Sequence, residues 1–312
     1  MINPARPILK GFLVLKKSLS RREALRSSGA LALAGTAGCT TTALARRPTP
    51  LGLAEITVGP LLARDYAGTL RQAAALGYTH FGFRLGGFGQ GASDPAPLEK
   101  ARMVRNAGME VGVVRFGVMG VDYDQQIAEA LACGATIVAM TAASVFIKRR
   151  PLGTATRAEF DAWLGTFAQL AAKCRAAGLT LAYHNHWWDF APLDGEAPLD
   201  IMARTISPRD LSFEVDLAWA WYAGVAPLDL VARLGPRVAS MHFKDIDRSR
   251  GTEPTQQTVP PGSGEMDYAA LLPRLPALTS AIGYVEVDTP GPDMASAAAG
   301  AAFVRKVWGM RG

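Results

Sequence analysis

Cysteine and histidine are both scarce in this sequence of 312 residues, which contains three cysteines and four histidines. So few cysteines exclude a small domain held together by disulfides. Cys133 and Cys174 lie in alanine-rich segments with helical spacing, where we expect buried, unreactive thiols rather than a disulfide. The sequence also offers no arrangement of a cysteine or serine nucleophile that competes with the chemistry described below.

Most of the chain lacks any excess of positive charge, although the formal net charge of the whole sequence is +6. Residues 1–45 contain seven basic residues and one acidic residue, so they alone account for this charge. The other 26 basic and 26 acidic residues cancel. Because proteins bind polyanions mainly through an excess of basic side chains, we expect no nucleic-acid partner for residues 46–312.

Residues 1–45 have the features of an export leader. A basic segment with Arg21 and Arg22 precedes a short apolar run at 29–38 and then Cys39, as in a twin-arginine signal. The run is too short and too rich in alanine and glycine for a stable membrane-spanning helix. We therefore expect export to the periplasm, with a disordered basic arm as the alternative. Cleavage at Cys39 would leave a lipid anchor as the membrane attachment, whereas cleavage after Ala45 would remove the leader.

Eight short apolar segments alternate with segments of helical spacing from about residue 51 onward. Four of the helical segments end on a glycine just before the next strand, the usual left-handed cap: Gly77, Gly108, Gly134 and Gly178. This alternation predicts a single-domain (β/α)8 TIM barrel over residues 46–312, with an open, doubly wound sheet as the alternative. The predicted strands cover 51–58, 78–85, 109–118, 135–142, 179–186, 211–218, 238–246 and 282–288.

The longest segment without a predicted helix or strand is the loop at 248–267, which is rich in proline and glycine. It follows the seventh predicted strand, so we expect it at the face of the barrel where the strands end. Loops of this length usually have a function.

Polar side chains end the last four predicted strands, in pairs two residues apart. Residues spaced by two lie on one side of a strand, so one member of each pair can point toward the barrel axis. Burying several carboxylates together is costly unless a cation offsets their charge. Imidazole and carboxylate donors suit Mn²⁺, Zn²⁺, Co²⁺ or Fe²⁺, among which the residues do not discriminate. The pairs are His184 with His186, Glu214 with Asp216, His242 with Lys244, and Glu286 with Asp288.

Several motifs in this region resemble one known family. The runs LAYHNHWWDF, LSFEVDLAWAWYAGVAPLDLVARLGPRVASMHFKDI, VPPGSGEMDYAALLP and YVEVDTPGP follow one another in the order found in the sugar phosphate isomerase/epimerase family, whose barrel is xylose isomerase-like. The likeness is greatest to the branch with a Tyr-His-Asn-His signature. The opening LGLAEITVGPLLARDYAGTLRQAAALGYTHFGF fits the family's first unit, so the resemblance covers residues 51–312.

This resemblance implies one divalent metal ion at the mouth of the barrel. The family's Asp, His and Glu ligands fall on Asp216, His242 and Glu286. Its first ligand, usually a glutamate, falls within 183–186, best at His184 and otherwise at His186. In the family's epimerases the first and last ligands are also the two acid/base groups. A histidine in the first place weakens the case for a two-carboxylate epimerase, although imidazole can act as a base near neutral pH.

The resemblance and the strand-end pattern together give candidate roles for individual side chains. A cation beside the metal could hold a substrate oxygen or stabilise an enolate, and flat indole rings suit the C–H faces of sugars. The predicted catalytic residues are His184, His186, Lys244 and Glu286, and the predicted metal ligands are His184, Asp216, His242 and Glu286. The predicted substrate contacts are His186, Trp187, Glu214, Trp219 and Lys244.

The first three strands depart from the family's pattern. Arg84 stands where relatives often place a carboxylate, Arg115 or Phe116 stands where a histidine is common, and AEITV replaces a Gln-x-Tyr pattern. These departures motivate the alternative of an exported barrel that binds carbohydrate without catalysis. A third hypothesis, an apurinic endonuclease, requires a trinuclear zinc site with more histidines than the four present.

The function we expect is that of a divalent-metal-dependent isomerase or epimerase acting on a small carbohydrate. A base would remove the proton next to the carbonyl of a keto-sugar, and loss of a leaving group would make the same site a lyase or dehydratase. Because export separates the protein from cytoplasmic sugar phosphates, free or glycosidic keto-sugars are the expected substrates.

Overall fold

The computed structural model describes residues 49–86 and 94–309. The predicted leader, with Arg21, Arg22 and Cys39, lies outside these residues. The described residues form one domain, whose strands are β1 (Gly52–Ala54), β2 (His80–Arg84), β3 (Glu110–Arg115), β4 (Ile137–Met140), β5 (Thr180–His184), β6 (Leu211–Asp216), β7 (Val238–Phe243), β8 (Asp245–Ile246), β9 (Thr258–Val259) and β10 (Ile282–Val285).

Eight of these strands are parallel and form a closed barrel in the order β1-β10-β7-β6-β5-β4-β3-β2. The predicted (β/α)8 barrel is therefore confirmed, and the alternative of an open, doubly wound sheet is wrong. Closure occurs where β1 pairs with β10, through Gly52 beside Tyr284 and Leu53 beside Val285. β8 and β9 form a separate antiparallel pair.

Helices follow the barrel strands and cover their outer face. Among the described residues no helix is both long and apolar enough to cross a bilayer. The helices are α1 (Gly59–Leu62), α2 (Tyr66–Ala75), α3 (Pro97–Asn106), α4 (Tyr123–Ala132), α5 (Ser144–Ile147), α6 (Arg157–Ala176), α7 (Pro198–Thr205), α8 (Leu217–Tyr222), α9 (Pro227–Leu234), α10 (Tyr268–Leu271) and α11 (Ala295–Gly309).

The helix ends follow from local sequence signals. Gly77, Gly108, Gly134 and Gly178 have φ values of 87°, 83°, 71° and 82°, as expected of left-handed caps. The longest helix, α6, begins with a capping box in which Thr156 and Glu159 bond each other's backbone N–H groups. The main apolar core lies between the helices and the strands, and it includes the free, buried thiols of Cys133 and Cys174 that the sequence predicts.

One tyrosine fills much of the barrel interior. Tyr284 packs there with the small side chains of Val113, Ala139 and Ala182. A Cβ atom at Gly52 would overlap the Tyr284 ring, and one at Gly112 would lie 2.6 Å from its hydroxyl. These strand positions therefore need glycine because an aromatic ring crosses the axis beside them. The packed interior forms the floor beneath the ends of the strands.

The loop predicted at 248–267 is more ordered than its composition suggests, because β9 lies within it and pairs with β8. Asp245 accepts hydrogen bonds from the backbone N–H groups of Gly262, Gly264 and Met266 at 3.0–3.1 Å. The guanidinium of Arg248 lies over the rings of Trp221 and Tyr222, the last residues of α8. These contacts fix the loop beside the ends of β6 and β7.

Candidate metal centre and cavity

The four predicted metal ligands lie together at the carboxyl ends of neighbouring strands. His184 ends β5, Asp216 ends β6, His242 lies near the end of β7, and Glu286 directly follows β10. Each is buried and offers a donor atom, and these atoms all lie within 4.8 Å of one another. The barrel register explains this, because Asp216 pairs with His242 while His242 pairs with Tyr284, two residues before Glu286. We call these four residues the cluster.

The facing atoms of the cluster are the Nε2 of His184, the Nδ1 of His242 and one oxygen of each carboxylate. Nδ1 of His242 lies 3.0 Å from Oε2 of Glu286 and 3.7 Å from Oδ2 of Asp216, which is 3.9 Å from Nε2 of His184. Neither His242 Nδ1 nor Asp216 Oδ2 makes a hydrogen bond of normal geometry, although Oδ2 lies 2.9 Å from Nζ of Lys244. Buried polar atoms in this state are rare unless an ion or water completes them. Two imidazoles and two carboxylates are a donor set that fits a divalent ion.

The other oxygens of the two carboxylates are already engaged, which fixes their orientation. Oδ1 of Asp216 accepts a hydrogen bond from the Trp219 N–H and so caps α8. The Asn185 side chain bonds both the N–H and the C=O of Asp216, at 3.0 and 3.1 Å. Oε1 of Glu286 lies 2.6 Å from Nζ of Lys244. Each carboxylate therefore turns one oxygen toward the centre.

Lys244 lies beside the cluster, completely buried among carboxylates. Its Nζ is within 2.9 Å of Asp216, Glu286 and Asp288, and it sits 4.8 Å from the centroid of the Trp219 ring. Burial alone would lower the pKa of Lys244, but the three carboxylates raise it well above its usual value. Lys244 is not among the described residues that line the cavity. Its contact with substrate therefore stays a prediction.

Glu214 is also completely buried, and its carboxylate lies behind the two histidines of the cluster. Its Oε1 accepts hydrogen bonds from Arg115 Nη2 at 2.9 Å and Ser240 Oγ at 3.1 Å, and lies 3.2 Å from His242 Nε2. Its Oε2 lies 3.5 Å from Nδ1 of His184. Within the described part of the chain, the residues that line the cavity do not include Glu214, so its predicted contact with substrate stays a prediction.

The charges in and around the cluster shift its pKa values in opposite directions. Burial favours neutral His242, yet the carboxylates of Glu286 and Glu214 outweigh it and raise the pKa of His242 to about 9. Burial and the charge of His242 lower the pKa of His184. Despite burial, Arg115 and His242 hold the pKa of Glu214 well below its usual range, and His242 and Lys244 do the same for Glu286.

A cavity of about 310 Å³ opens beside the cluster at the carboxyl-end face of the barrel. Its volume lies at the lower end of the range for small-molecule sites. The lining residues include His184, His186, His242, Glu286 and Asp288 on the cluster side, Glu55, Arg84 and Arg115 from the first three strands, and Phe83, Val118, Ile147 and Trp188.

Among the described residues the tryptophan that lines the cavity is Trp188, which is not one of the predicted substrate contacts. The half-buried ring of His186 stacks on it, with centroids 4.4 Å apart and an angle of 6°. Trp219 is completely buried, and Trp187 packs between Trp188 and Trp219. Burial and the charges of His184 and Lys244 hold the pKa of His186 well below its usual value.

A buried ion pair at the opposite wall was also missed from the sequence. Glu55, just after β1, accepts hydrogen bonds from the Arg84 N–H, the Tyr66 hydroxyl and Lys100 Nζ, at 2.8–3.3 Å. Lys100 is completely buried and also lies 2.9 Å from Asp94. The fourth histidine, His80, begins β2 at the other end of the barrel, 3.5 Å from Glu110. It therefore adds no ligand, which weighs against a trinuclear zinc site.

Comparison with known proteins identifies relatives of this barrel. The sequence model of a family described as xylose isomerase-like TIM barrel matches residues 121–307. No curated protein matches the chain.

Solved structures resemble this one in fold at low sequence identity. A sugar phosphate isomerase/epimerase from Parabacteroides distasonis gives a TM-score of 0.68 at 17% identity, covering 83% of this chain and 97% of its own. The probable 3-DHS dehydratase AsbF of petrobactin synthesis from Bacillus anthracis gives 0.62 at 13% identity, covering 84% and 100%. A xylose isomerase-like TIM barrel protein from Mycobacterium smegmatis, in complex with magnesium, gives 0.57 at 15% identity, covering 83% and 96%.

Proposed function

Because the chain belongs to the xylose isomerase-like TIM barrel family, we propose that it is a divalent-metal-dependent enzyme that moves a proton next to the carbonyl of a keto-sugar. Isomerisation or epimerisation is the reaction proposed, and a dehydratase or lyase would use the same first step. The observation that carries the proposal is the convergence of four buried donor atoms within 4.8 Å, beside a cavity large enough for a small ligand.

The charges around the cluster support a divalent ion as the missing component. Four carboxylates face two cationic side chains, which leaves a deficit of two positive charges when both histidines are neutral. Uncompensated carboxylates in a buried site raise the free energy of the folded state, so one divalent ion would balance the site. The carboxylates belong to Glu214, Asp216, Glu286 and Asp288, and the cations belong to Arg115 and Lys244.

His184, Asp216, His242 and Glu286 would hold the ion. When bound there, a divalent ion polarises the carbonyl of the substrate and acidifies the adjacent C–H bond. Glu286 lines the cavity as a charged carboxylate, because its pKa is lowered, and we assign it as one proton-transfer group. His186 is the second, since its neutral ring lines the same cavity and its Nδ1 makes no hydrogen bond.

The apolar part of the cavity would position the sugar. Trp188 lines the cavity, and indole rings are suited to contacts with the C–H groups of a sugar ring. Phe83 and Val118 also line the cavity and would limit the water beside the reacting carbon. We assign the tryptophan contact to Trp188 in preference to Trp187 and Trp219.

The names of the structural relatives support this class of chemistry. The Parabacteroides distasonis protein is a sugar phosphate isomerase/epimerase, and the Bacillus anthracis protein is a probable dehydratase. Both reaction types can begin with removal of a proton next to a carbonyl. The magnesium in the Mycobacterium smegmatis structure supports a divalent ion in such a barrel.

The test is an exchange assay in deuterated water with panels of 2-keto and 3-keto sugars and a supplied divalent ion. We expect solvent deuterium in recovered substrate or product, and we expect a chelator or the Glu286→Gln substitution to abolish its incorporation. Turnover without deuterium incorporation would instead indicate hydride transfer and overturn the proposal. The Asp161→Asn variant, altered at an exposed residue of α6, serves as the matched control.

A non-catalytic carbohydrate-binding barrel is the second candidate, and the cavity wall of the first three strands favours it. Arg84 and Arg115 line the cavity at the positions that depart from the family pattern. This candidate predicts sugar binding without deuterium exchange and unchanged binding after removal of divalent ions. Calorimetric titration of sugars before and after chelation separates it from the enzyme.

We further propose that the protein is exported to the periplasm by the twin-arginine route. The pair Arg21 and Arg22 before a short apolar run supports this, and Cys39 supports a lipid anchor. Replacing both arginines with lysine should keep a fused reporter in the cytoplasm, whereas Cys39→Ala should remove only membrane association.

A further inference from the structure

Glu214 differs from the other carboxylates of the site in where it lies. It lies behind both histidines of the cluster, with Oε1 3.2 Å from His242 Nε2 and Oε2 3.5 Å from His184 Nδ1; neither Oε2 nor Nδ1 makes a hydrogen bond of normal geometry to any other group. These are the ring nitrogens that do not face the cluster. The facing nitrogens, Nε2 of His184 and Nδ1 of His242, are those nearest Asp216 Oδ2.

A histidine that binds a metal through one nitrogen carries its proton on the other. A carboxylate behind the ring accepts that proton's hydrogen bond, fixes the tautomer and makes the ring a stronger ligand. Most such carboxylates serve one histidine. Here a single side chain has one oxygen near each of two rings, whose centroids are only 4.5 Å apart.

We propose that Glu214 is the positioning residue for both histidines, so that the ion binds through Nε2 of His184 and Nδ1 of His242. The proposal rests on the proposed function, because the divalent ion is part of it. It also explains why a carboxylate at this place is completely buried and absent from the described lining of the cavity.

Arg115 compensates the negative charge of the buried Glu214 carboxylate. Its Nη2 donates to Glu214 Oε1 at 2.9 Å and lies 2.6 Å from His242 Nε2. Because a guanidinium only donates, this 2.6 Å contact is a hydrogen bond only while Nε2 of His242 is unprotonated; with an ion on Nδ1 and the proton on Nε2, Glu214 Oε1 would be the acceptor for both donors. The positive charge of Arg115 also repels a cation at the cluster. Glu214 and Arg115 should therefore affect metal affinity in opposite directions.

The experiment measures the Mn²⁺ dissociation constant by calorimetry for the full chain and three variants. Glu214→Gln should weaken binding about 10- to 100-fold, the usual effect of losing a carboxylate behind a ligand histidine. Arg115→Met should bind Mn²⁺ severalfold more tightly than the wild type. Asp161→Asn, at an exposed residue of α6 far along the chain from the cluster residues, should leave the dissociation constant unchanged.

A merely structural Arg115–Glu214 pair would give a different result, since loss of either partner would then weaken binding alike. Equal weakening by both substitutions, or no weakening by Glu214→Gln, overturns the proposal. Melting of the metal-free variants identifies any that fail to fold. If the wild type binds no divalent ion, the proposed function itself is wrong. If the wild type and Glu214→Gln bind Mn²⁺ equally well, only the role of Glu214 is wrong.

A second readout needs no variant. Long-range ¹⁵N–¹H spectra of histidine-labelled, Zn²⁺-loaded protein distinguish the protonated from the coordinated ring nitrogen. We expect Nδ1–H for His184 and Nε2–H for His242. Observation of the same protonated nitrogen in both rings would contradict the assignment even if every variant failed to fold.

Discussion

Binding of a divalent ion should displace one proton from the protein at neutral pH, and His242 should be its source. The pKa of His242 is raised to about 9, so at pH 7 only about 1% of its rings are neutral and able to bind metal. The competition weakens apparent affinity at pH 7 about 100-fold, or ~2.7 kcal/mol, relative to the affinity above pH 9. Affinity should thus rise with pH, almost tenfold per unit, and level off near pH 9.

The other groups should contribute little to this proton count. The lowered pKa values of Glu214 and Glu286 leave both carboxylates already charged at pH 7. The lowered pKa of His184 leaves its ring neutral, and the raised pKa of Lys244 keeps its proton in place. One proton is therefore the expected release.

The assay is Mn²⁺ titration calorimetry in buffers of different ionisation enthalpy, from pH 6.5 to 8.5. The slope of the observed enthalpy against buffer enthalpy counts the protons released. A count near zero, or an affinity that does not change over this range, would refute the assigned charge state of His242. The metal-free protein gives a second check, because stability contributed by a raised histidine pKa is present below pH 6.5 and is lost as pH rises through about 9.

Three substitutions test the packing beneath and around the site by urea unfolding of the metal-free protein. Gly52→Ala should cost about 1–3 kcal/mol because its methyl group overlaps the Tyr284 ring, and the double variant with Tyr284→Leu should recover part of this. Asp245→Asn should cost about 1–3 kcal/mol, since an amide N–H then faces backbone N–H groups; an unchanged midpoint would show that Asp245 does not hold the loop. Lys100→Met should cost about 3–5 kcal/mol because it leaves Glu55 charged, buried and unpaired, and a loss under 1 kcal/mol would argue against that burial.

The convergence of His184, Asp216, His242 and Glu286 could be predicted because two local facts determine it. Each residue lies at the end of an apolar run, and parallel strands of a closed barrel bring such ends to one face. No long-range contact had to be guessed once the eight strands were counted. The same reasoning gave the glycine caps, which depend only on the residues at each helix end.

The contacts that could not be predicted are of two kinds. Some join residues far apart in sequence, and others depend on the local backbone conformation that orients neighbouring side chains. Lys100 lies on an amphipathic helix, where a lysine usually faces solvent, and its partner Glu55 is 45 residues away. Arg115 and Glu214 are 99 residues apart. Trp187 and Trp188 are neighbours, and the 3-10 turn Trp187–Phe190, rather than strand alternation, decides which of them lines the cavity.

The first predicted strand is longer than the observed one for a similar reason. The segment 51–58 is apolar except for Glu55 and Thr57, but only Gly52–Ala54 pairs as a strand. Glu55–Val58 forms a 3-10 turn, which places Glu55 at the cavity wall and Thr57 against β10. Apolar composition marks burial there, and it does not distinguish a strand from a buried turn.

The central claim is that one divalent ion is shared by side chains from four consecutive barrel strands. The anomalous difference density of Mn²⁺-soaked crystals tests it most directly. We predict a single strong peak about 2.0–2.3 Å from donor atoms of His184, Asp216, His242 and Glu286. A peak elsewhere, or none at these residues in protein that retains its fold, would contradict the account.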